Sequence, residues 1–143
     1  MKPCLLDTGP IVALLDRSDS WHAWVMPRIG RLRGRLVTTG AVVTEAMFFL
    51  QDTKDGTAGL LELLANPRIE IRDSFQPAKL RAAAALMETY GDTPMDFADA
   101  TLDVLAGELE TDRVVTLDER GFRTYRHGRN RPFTLVLQQA SPA

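Results

Sequence analysis

The chain has 143 residues, of which 45% are hydrophobic and 25% charged, and its formal net charge is −2. This length and composition are typical of one globular domain with a buried core, and there is no internal repeat or low-complexity tract. The absence of any run of eighteen apolar residues excludes a transmembrane helix, and Asp7 interrupts the first apolar stretch too early for a signal peptide, so we expect a cytoplasmic protein without membrane contacts.

Segments of strand and helix character alternate along the chain. In order, we predict a strand at 2–7, helices at 11–15 and 21–33, a strand at 36–38, helices at 41–50 and 58–65, a strand at 69–72, helices at 77–90 and from Phe97, and strands at 113–117 and 133–137. This alternation predicts an α/β protein with a mainly parallel sheet of four to five strands. The domain is expected to span residues 1–139, with a loose end at 140–143.

Carboxylates follow two of the predicted strands. Asp7 comes after the first strand and Asp118 after the fourth. Functional sites of open parallel sheets gather at the carboxyl ends of the strands, so both are candidate site residues. Each could instead be an ordinary turn acid, and we expect Thr8 or Gly9 to cap the helix after Asp7.

Glu45 is the only charge between Arg35 and Asp52, in a helix that is almost wholly apolar. We expect this helix to be largely buried. A buried carboxylate without a partner is costly, which makes Glu45 a candidate site residue. The alternative is an exposed position on the one wet side of the helix.

The helix from Phe97 opens with a stack of carboxylates. Asp96, Asp99 and Asp103 are spaced three and four residues apart, which places them on one helix face at a cost of about 0.2–0.5 kcal/mol per like-charged pair. Asp96 could simply be the N-cap, and we expect Asp103 to be a solvated neighbour. A divalent cation would explain why an apolar helix begins in this way.

The acids have no accompanying soft ligand. His22 and His127 lie elsewhere in the chain, and Cys4, the single cysteine, is expected to be buried and can form neither an internal disulfide nor a thiolate cage. An all-oxygen ligand set suits Mg²⁺ or Mn²⁺ rather than Zn²⁺.

Two groups of arginines could contact phosphates, although each could equally be a solvated surface. They are Arg28, Arg31, Arg33 and Arg35, and then Arg120, Arg123, Arg126, Arg129 and Arg131. The apolar Trp21, Trp24 and Val25 could form an interface, but core is the preferred interpretation.

These patterns resemble the motifs of PIN-domain ribonucleases, in particular VapC-type toxins of bacterial type II toxin–antitoxin systems. The resemblance covers nearly the whole chain and rests on four segments in order: LLDTGPIVALLD with SWHAW behind it, TEAMFFL, MDFADATL and VVTLDERGFRTYR. It implies a PIN-like three-layer α/β/α sandwich, in which helices cover both faces of the sheet and the acids meet at its carboxyl edge.

The resemblance also implies the chemistry, a metal-dependent hydrolysis of RNA that leaves 5′-phosphate and 3′-hydroxyl ends. Asp7, Asp99 and Asp118 would bind Mg²⁺ or Mn²⁺, with Asp96 as an auxiliary ligand, and Glu45 would orient or deprotonate the attacking water. The implied partners are RNA, a VapB-like antitoxin whose C-terminal segment blocks the acidic pocket, and a second copy of the chain as a homodimer.

Gly121 departs from the family pattern, because many relatives carry another acid at this point after the Asp118 position. The departure leaves open whether one or two cations bind, and it supports the alternative of a catalytically silent PIN module that only binds RNA or a protein partner. A haloacid-dehalogenase-like phosphotransferase is disfavoured, since that chemistry needs a second aspartate two residues after Asp7, where Gly9 stands.

Overall fold

A five-stranded parallel sheet lies at the centre of the fold. The computed structural model describes residues 1–139, and the predicted loose end at 140–143 lies outside the described residues. The elements in chain order are β1 (Cys4–Leu6), α1 (Thr8–Leu15), α2 (His22–Gly30), β2 (Leu36–Thr39), α3 (Gly40–Leu50), α4 (Gly56–Leu64), β3 (Ile69–Arg72), α5 (Pro77–Thr89), α6 (Phe97–Leu109), β4 (Arg113–Val115), α7 (Glu119–Thr124), β5 (Arg126–His127), β6 (Arg131–Pro132), β7 (Thr134–Leu135) and α8 (Val136–Gln139).

The sheet order is β3-β2-β1-β4-β7, and every neighbouring pair is parallel. Leu5 of the central strand pairs with Val37 on one side and Val114 on the other, and all three side chains are fully buried. Strands buried on both faces are expected to be continuously apolar, as CLL and VV are here. The predicted α/β architecture with a parallel sheet is confirmed.

Helices flank this sheet. Helix α6 packs against α5, while α1 packs against α2 and α3, and α3 also contacts α4. Leu60 and Leu102 are fully buried in the resulting core, and Cys4 is buried as predicted. Across residues 1–139, no helix combines the length and apolar character that a membrane span requires.

The turns at the carboxyl edge of the sheet start helices almost at once. Asp7 is the N-cap of α1, rather than Thr8 or Gly9 as expected, because its side chain accepts a hydrogen bond from the Thr8 N–H. Thr39 caps α3 in the same way, and its hydroxyl also bonds the Thr101 hydroxyl of α6 at 2.8 Å. The helices that carry the acids are therefore tied to the strand ends.

The chain after β4 differs most from the sequence prediction. Helix α7 was not predicted, and neither was the antiparallel pair formed by β5 and β6. Within the strand predicted at 133–137, only Thr134–Leu135 is a strand, and Val136–Gln139 is helical. A short apolar run does not by periodicity alone distinguish a strand from a buried helical segment, which explains the last error.

Two predictions of burial were wrong. Helix α3 is not largely buried, because the side chains of Phe48 and Phe49 are 66% and 56% exposed. Trp21 is 48% exposed rather than in the core, whereas Val25 of the same apolar group is fully buried. Apolar composition alone therefore overstated how much of α2 and α3 the core covers.

Strand β3 is an edge of the sheet and carries a small ion-pair network. Glu70 pairs with Arg72 on its own strand at 3.0 Å and with Arg35 at 2.8 Å. All three side chains are substantially exposed to solvent. The network therefore joins the edge strand to Arg35, which precedes β2.

Asp103 is buried rather than solvated, contrary to the prediction. Its side chain is 3% exposed, and its Oδ2 atom has no hydrogen-bond partner among the described residues. Burial raises the pKa of this carboxyl from 3.8 to about 7, because the apolar surroundings disfavour the charged form.

We expect Asp103→Asn to weaken the pH dependence of stability. A carboxyl whose pKa is higher in the folded state holds its proton more tightly there, so the free energy of unfolding falls as pH rises from about 4 to 7. The loss in Tm between pH 5 and pH 8 should be smaller in the variant than in the wild type. Equal losses would show that the Asp103 proton does not contribute.

Candidate active site

An open cleft of about 510 Å³ lies at the carboxyl edge of the sheet and is lined by acidic side chains. All five acids proposed from the sequence line it, namely Asp7, Glu45, Asp96, Asp99 and Asp118. Asp19, which was not a candidate from the sequence, is a sixth. Among the residues that the structure describes, no lysine or arginine lines this cleft. We call it the acidic cleft.

Asp7 is held rigidly at the end of β1. Its Oδ1 accepts a hydrogen bond from the Thr8 N–H at 2.8 Å, and its Oδ2 accepts one from the Thr116 hydroxyl at 2.7 Å. The side chain is 6% exposed, and burial raises its pKa to about 6 even though both hydrogen bonds favour the charged form. Asp7 is therefore oriented by the residue that follows β4 as well as by its own helix.

Asp96 and Asp99 form a reciprocal cap at the start of α6. The Asp96 side chain accepts from the Asp99 N–H at 2.8 Å, and the Asp99 side chain accepts from the Asp96 N–H at 3.3 Å. Burial, followed by the negative charges of Asp7, Asp96 and Asp118, raises the pKa of Asp99 to about 9. Asp96 is thus the N-cap and also part of the acidic cleft, so the two interpretations of this residue are compatible.

Glu45 reaches the acidic cleft from α3, where it is half-buried. Burial is the main cause of its raised pKa, and the charge of Asp96 adds to the effect. The Thr8 hydroxyl lies near enough to favour the charged form of Glu45, yet it makes no well-formed hydrogen bond to any described residue. A buried hydroxyl without a partner in an acidic cleft is a candidate oxygen ligand for a cation or a water.

Asp118 depends on Gly121 for its position. The Asp118 side chain caps α7 by accepting a hydrogen bond from the Gly121 N–H at 3.0 Å. A Cβ atom at position 121 would overlap the Asp118 carboxylate and crowd the ring of Tyr125. Gly121 stands where many relatives carry an acid, and its lack of a side chain leaves room for the carboxylate of Asp118.

Thr116 and Tyr125 hold the acids in place, and neither was a candidate from the sequence. The Thr116 hydroxyl donates to Asp7 and accepts from the Asp118 N–H, so it links two acids that are distant in sequence. The Tyr125 hydroxyl donates to the Pro94 carbonyl oxygen at 2.7 Å, just before Asp96. Burial, reinforced by the charge of Asp99 and its neighbours, raises the pKa of Tyr125, so the phenol stays a donor. Thr116 could have been found from the sequence, because its hydroxyl lies two residues before Asp118 at the end of a predicted strand.

The donor set of the acidic cleft fits a hard cation, because carboxylate oxygens and one free hydroxyl suit Mg²⁺ or Mn²⁺. Within residues 1–139, no three His, Cys, Asp or Glu side chains lie close enough together to hold a metal ion among themselves. A cation here would therefore take part of its coordination from water, as Mg²⁺ usually does. Asp7, Asp96, Asp99 and Asp118 are the side chains that could hold it.

Most arginines of the two predicted groups already have partners. Arg131 makes a bidentate pair with Asp112, and Arg126 donates to backbone carbonyl oxygens of residues 123–125. Arg28 lies over the Trp24 ring, and its guanidinium centre is 4.0 Å from the ring centroid. Arg120 follows Asp118 by two residues, and within residues 1–139 its guanidinium makes no hydrogen bond or ion pair. Arg120 is the candidate from the predicted groups that follows a cleft acid most closely in sequence.

Comparison with known proteins finds relatives over most of the chain. The PIN domain family model matches residues 4–128. Ribonuclease VapC26 of Mycobacterium tuberculosis is 30% identical over 135 residues, which cover 92% of this chain and 98% of that protein.

A solved structure has the same fold. The crystal structure of Mycobacterium tuberculosis VapC20, described as a sarcin-ricin loop cleaving toxin, superposes with a TM-score of 0.74 at 14% identity and covers 81% of this chain and 90% of that one. The PIN fold predicted from the sequence is confirmed. The chain belongs to the PIN-domain family, among its VapC ribonucleases.

Proposed function

We propose that this protein hydrolyses RNA phosphodiester bonds with the help of Mg²⁺ and is the toxin of a type II toxin–antitoxin pair. The observation that carries the proposal is the acidic cleft, which is lined by five carboxylates from two helices and two strand ends and, among the described residues, by no lysine or arginine. The similarity to Ribonuclease VapC26 over nearly the whole chain supports RNA as the substrate class.

Each acid has a proposed role. Asp7, Asp99 and Asp118 hold the cation, Asp96 is an auxiliary ligand, and Glu45 orients or deprotonates the attacking water. When bound, the cation supplies a more acidic water and offsets negative charge at the phosphorus. Thr116 keeps the Asp7 carboxylate in its orientation, and Arg120 contacts the RNA backbone without reading its sequence.

The proposed protein partner is a VapB-like antitoxin. Its C-terminal segment would cover the acidic cleft and exclude RNA, and a basic side chain in that segment would complement the clustered carboxylates. The homodimer expected from the family resemblance stays a prediction. The exposed apolar side chains of Trp21 and Met26, each 48% exposed, are available on and next to α2 for such an interface.

We expect cleavage to require both the cation and Asp99. A 5′-labelled RNA incubated with the protein should be cut in Mg²⁺, not in EDTA, and again after excess Mg²⁺ is added. Asp99→Asn should lower the cleavage rate by more than about 100-fold, since even residues that only support metal ligands contribute 10–100-fold. The matched control is Asp103→Asn, which removes an acid from the same helix outside the acidic cleft and should cut normally.

The same variants separate the enzyme from the catalytically silent alternative. Calorimetric titration of the wild type with Mg²⁺ should release or absorb heat that is lost in Asp99→Asn. No Asp99-dependent heat, together with cleavage that persists in EDTA or is absent altogether, would favour the silent module.

We expect Mg²⁺ to stabilise the protein more at pH 8 than at pH 6. The raised pKa of Asp99, about 9, means that a proton occupies this carboxyl in that range and must leave when a cation binds. Without Mg²⁺, the free energy of unfolding should fall as pH rises from 3.8 towards 9, because the folded state holds the proton more tightly than the unfolded state.

The measurement is Tm in Mg²⁺ and in EDTA at pH 6, 7 and 8. The gain in Tm from Mg²⁺ should increase across this series in the wild type and stay small in Asp99→Asn. A gain that is the same at all three pH values would contradict the proposed role of Asp99.

We expect Gly121→Ala to raise the Mg²⁺ concentration for half-maximal cleavage by about tenfold or more. The new Cβ would displace the Asp118 carboxylate from its hydrogen bond with the backbone. Gly30→Ala is the control, since a Cβ at Gly30 meets nothing within 4 Å. Unchanged Mg²⁺ dependence in Gly121→Ala would mean that Asp118 does not bind the cation.

A further inference from the structure

An aromatic ring lies among the carboxylates of the acidic cleft. Phe49 lines this cleft together with Asp7, Glu45 and Asp99, and its side chain is 56% exposed. A side chain with more than half of its surface exposed contributes little to the core. Its position therefore needs an explanation other than folding.

The ring of Phe49 is held towards the carboxylates by its own helix. Phe49 follows Glu45 by four residues on α3, and residues at this spacing lie on one side of a helix. The neighbouring Phe48 ring packs against it edge to face, with 5.5 Å between the ring centroids and 75° between the planes. Despite this contact, more than half of the Phe49 side chain stays exposed.

We propose that Phe49 stacks on an unpaired nucleobase next to the scissile phosphodiester, which makes it a substrate-positioning residue. The inference rests on the proposed ribonuclease function. Every base offers an aromatic face, so such stacking binds single-stranded RNA without strong sequence preference. Because the carboxylates beside the ring must face the scissile phosphodiester, the base within reach belongs to a flanking nucleotide.

The inference defines a substrate class. A base in a regular stem is already stacked between its neighbours, whereas a base in a loop or a single strand is free to stack on a protein ring. The preferred substrate is therefore RNA with an unstacked base beside the cleaved bond. An apolar side chain of a protein partner is the competing occupant of the ring face.

The first test compares steady-state cleavage of a short single-stranded RNA by the wild type, Phe49→Leu, Phe49→Trp and Phe48→Leu. Phe49→Leu should raise KM about tenfold with kcat within about twofold, which lies in the range of base–aromatic stacking. Phe49→Trp should retain the wild-type KM, because it keeps an aromatic face. Phe48→Leu is the matched control, since Phe48 is as exposed but does not line the cleft, and it should change KM by less than about twofold.

The second test removes the base instead of the ring. After the cut has been mapped, an abasic nucleotide is placed on either side of it in turn. At one of the two positions the wild-type KM should rise about tenfold, while Phe49→Leu should show no further rise. This non-additivity identifies a direct contact between the ring and that base.

The outcomes distinguish the inference from the function on which it rests. If the wild type cleaves RNA and Phe49→Leu has the same KM, the inference is wrong while the ribonuclease function stands. The inference would also be wrong if KM rose equally in Phe48→Leu, or if KM rose about tenfold in Phe49→Trp, because either result would point to an effect of helix packing. If only inhibition by the antitoxin weakens in Phe49→Leu, the occupant is a protein side chain. If the wild type cuts no RNA, the function itself fails.

Discussion

Helix capping is the interaction on which the acidic cleft depends. Asp7, Asp96 and Asp118 are the N-caps of α1, α6 and α7, and each carboxylate accepts a hydrogen bond from a backbone N–H. The first turn of a helix offers such unpaired N–H groups together with the positive end of its dipole. Local folding therefore holds negative charges close to one another that would otherwise separate.

The parallel sheet brings these caps to one place. Strands β1 and β4 are neighbours, so the residues that follow them lie at the same edge, and Thr116 joins them through a single hydroxyl. Burial makes the charged form of these acids costly, and for this reason the pKa of Asp99 is raised to about 9. A protein optimised for stability alone would not gather these groups, because buried charges need partners. A cation is the partner that the oxygen donors suit.

The sequence was informative where chemistry and periodicity coincide. An aspartate after an apolar strand and an aspartate at a helix start were recognisable in Asp7 and Asp96, because both the rule for parallel sheets and the capping preference apply there. The helix that begins at Glu119 was missed because it is short and depends on one side-chain cap by Asp118. The exposure of Phe49 and the burial of Asp103 depend on which neighbours pack against α3 and α6, and a linear pattern does not contain that information.

The charged edge of the sheet has a consequence for how this protein behaves in a crowded cell. An outer strand with free backbone groups invites another chain to add to the sheet. On β3, a further strand would have to strip water from Glu70 and from its two arginine partners, Arg35 and Arg72. That desolvation cost disfavours uncontrolled strand addition and fibre growth at this side.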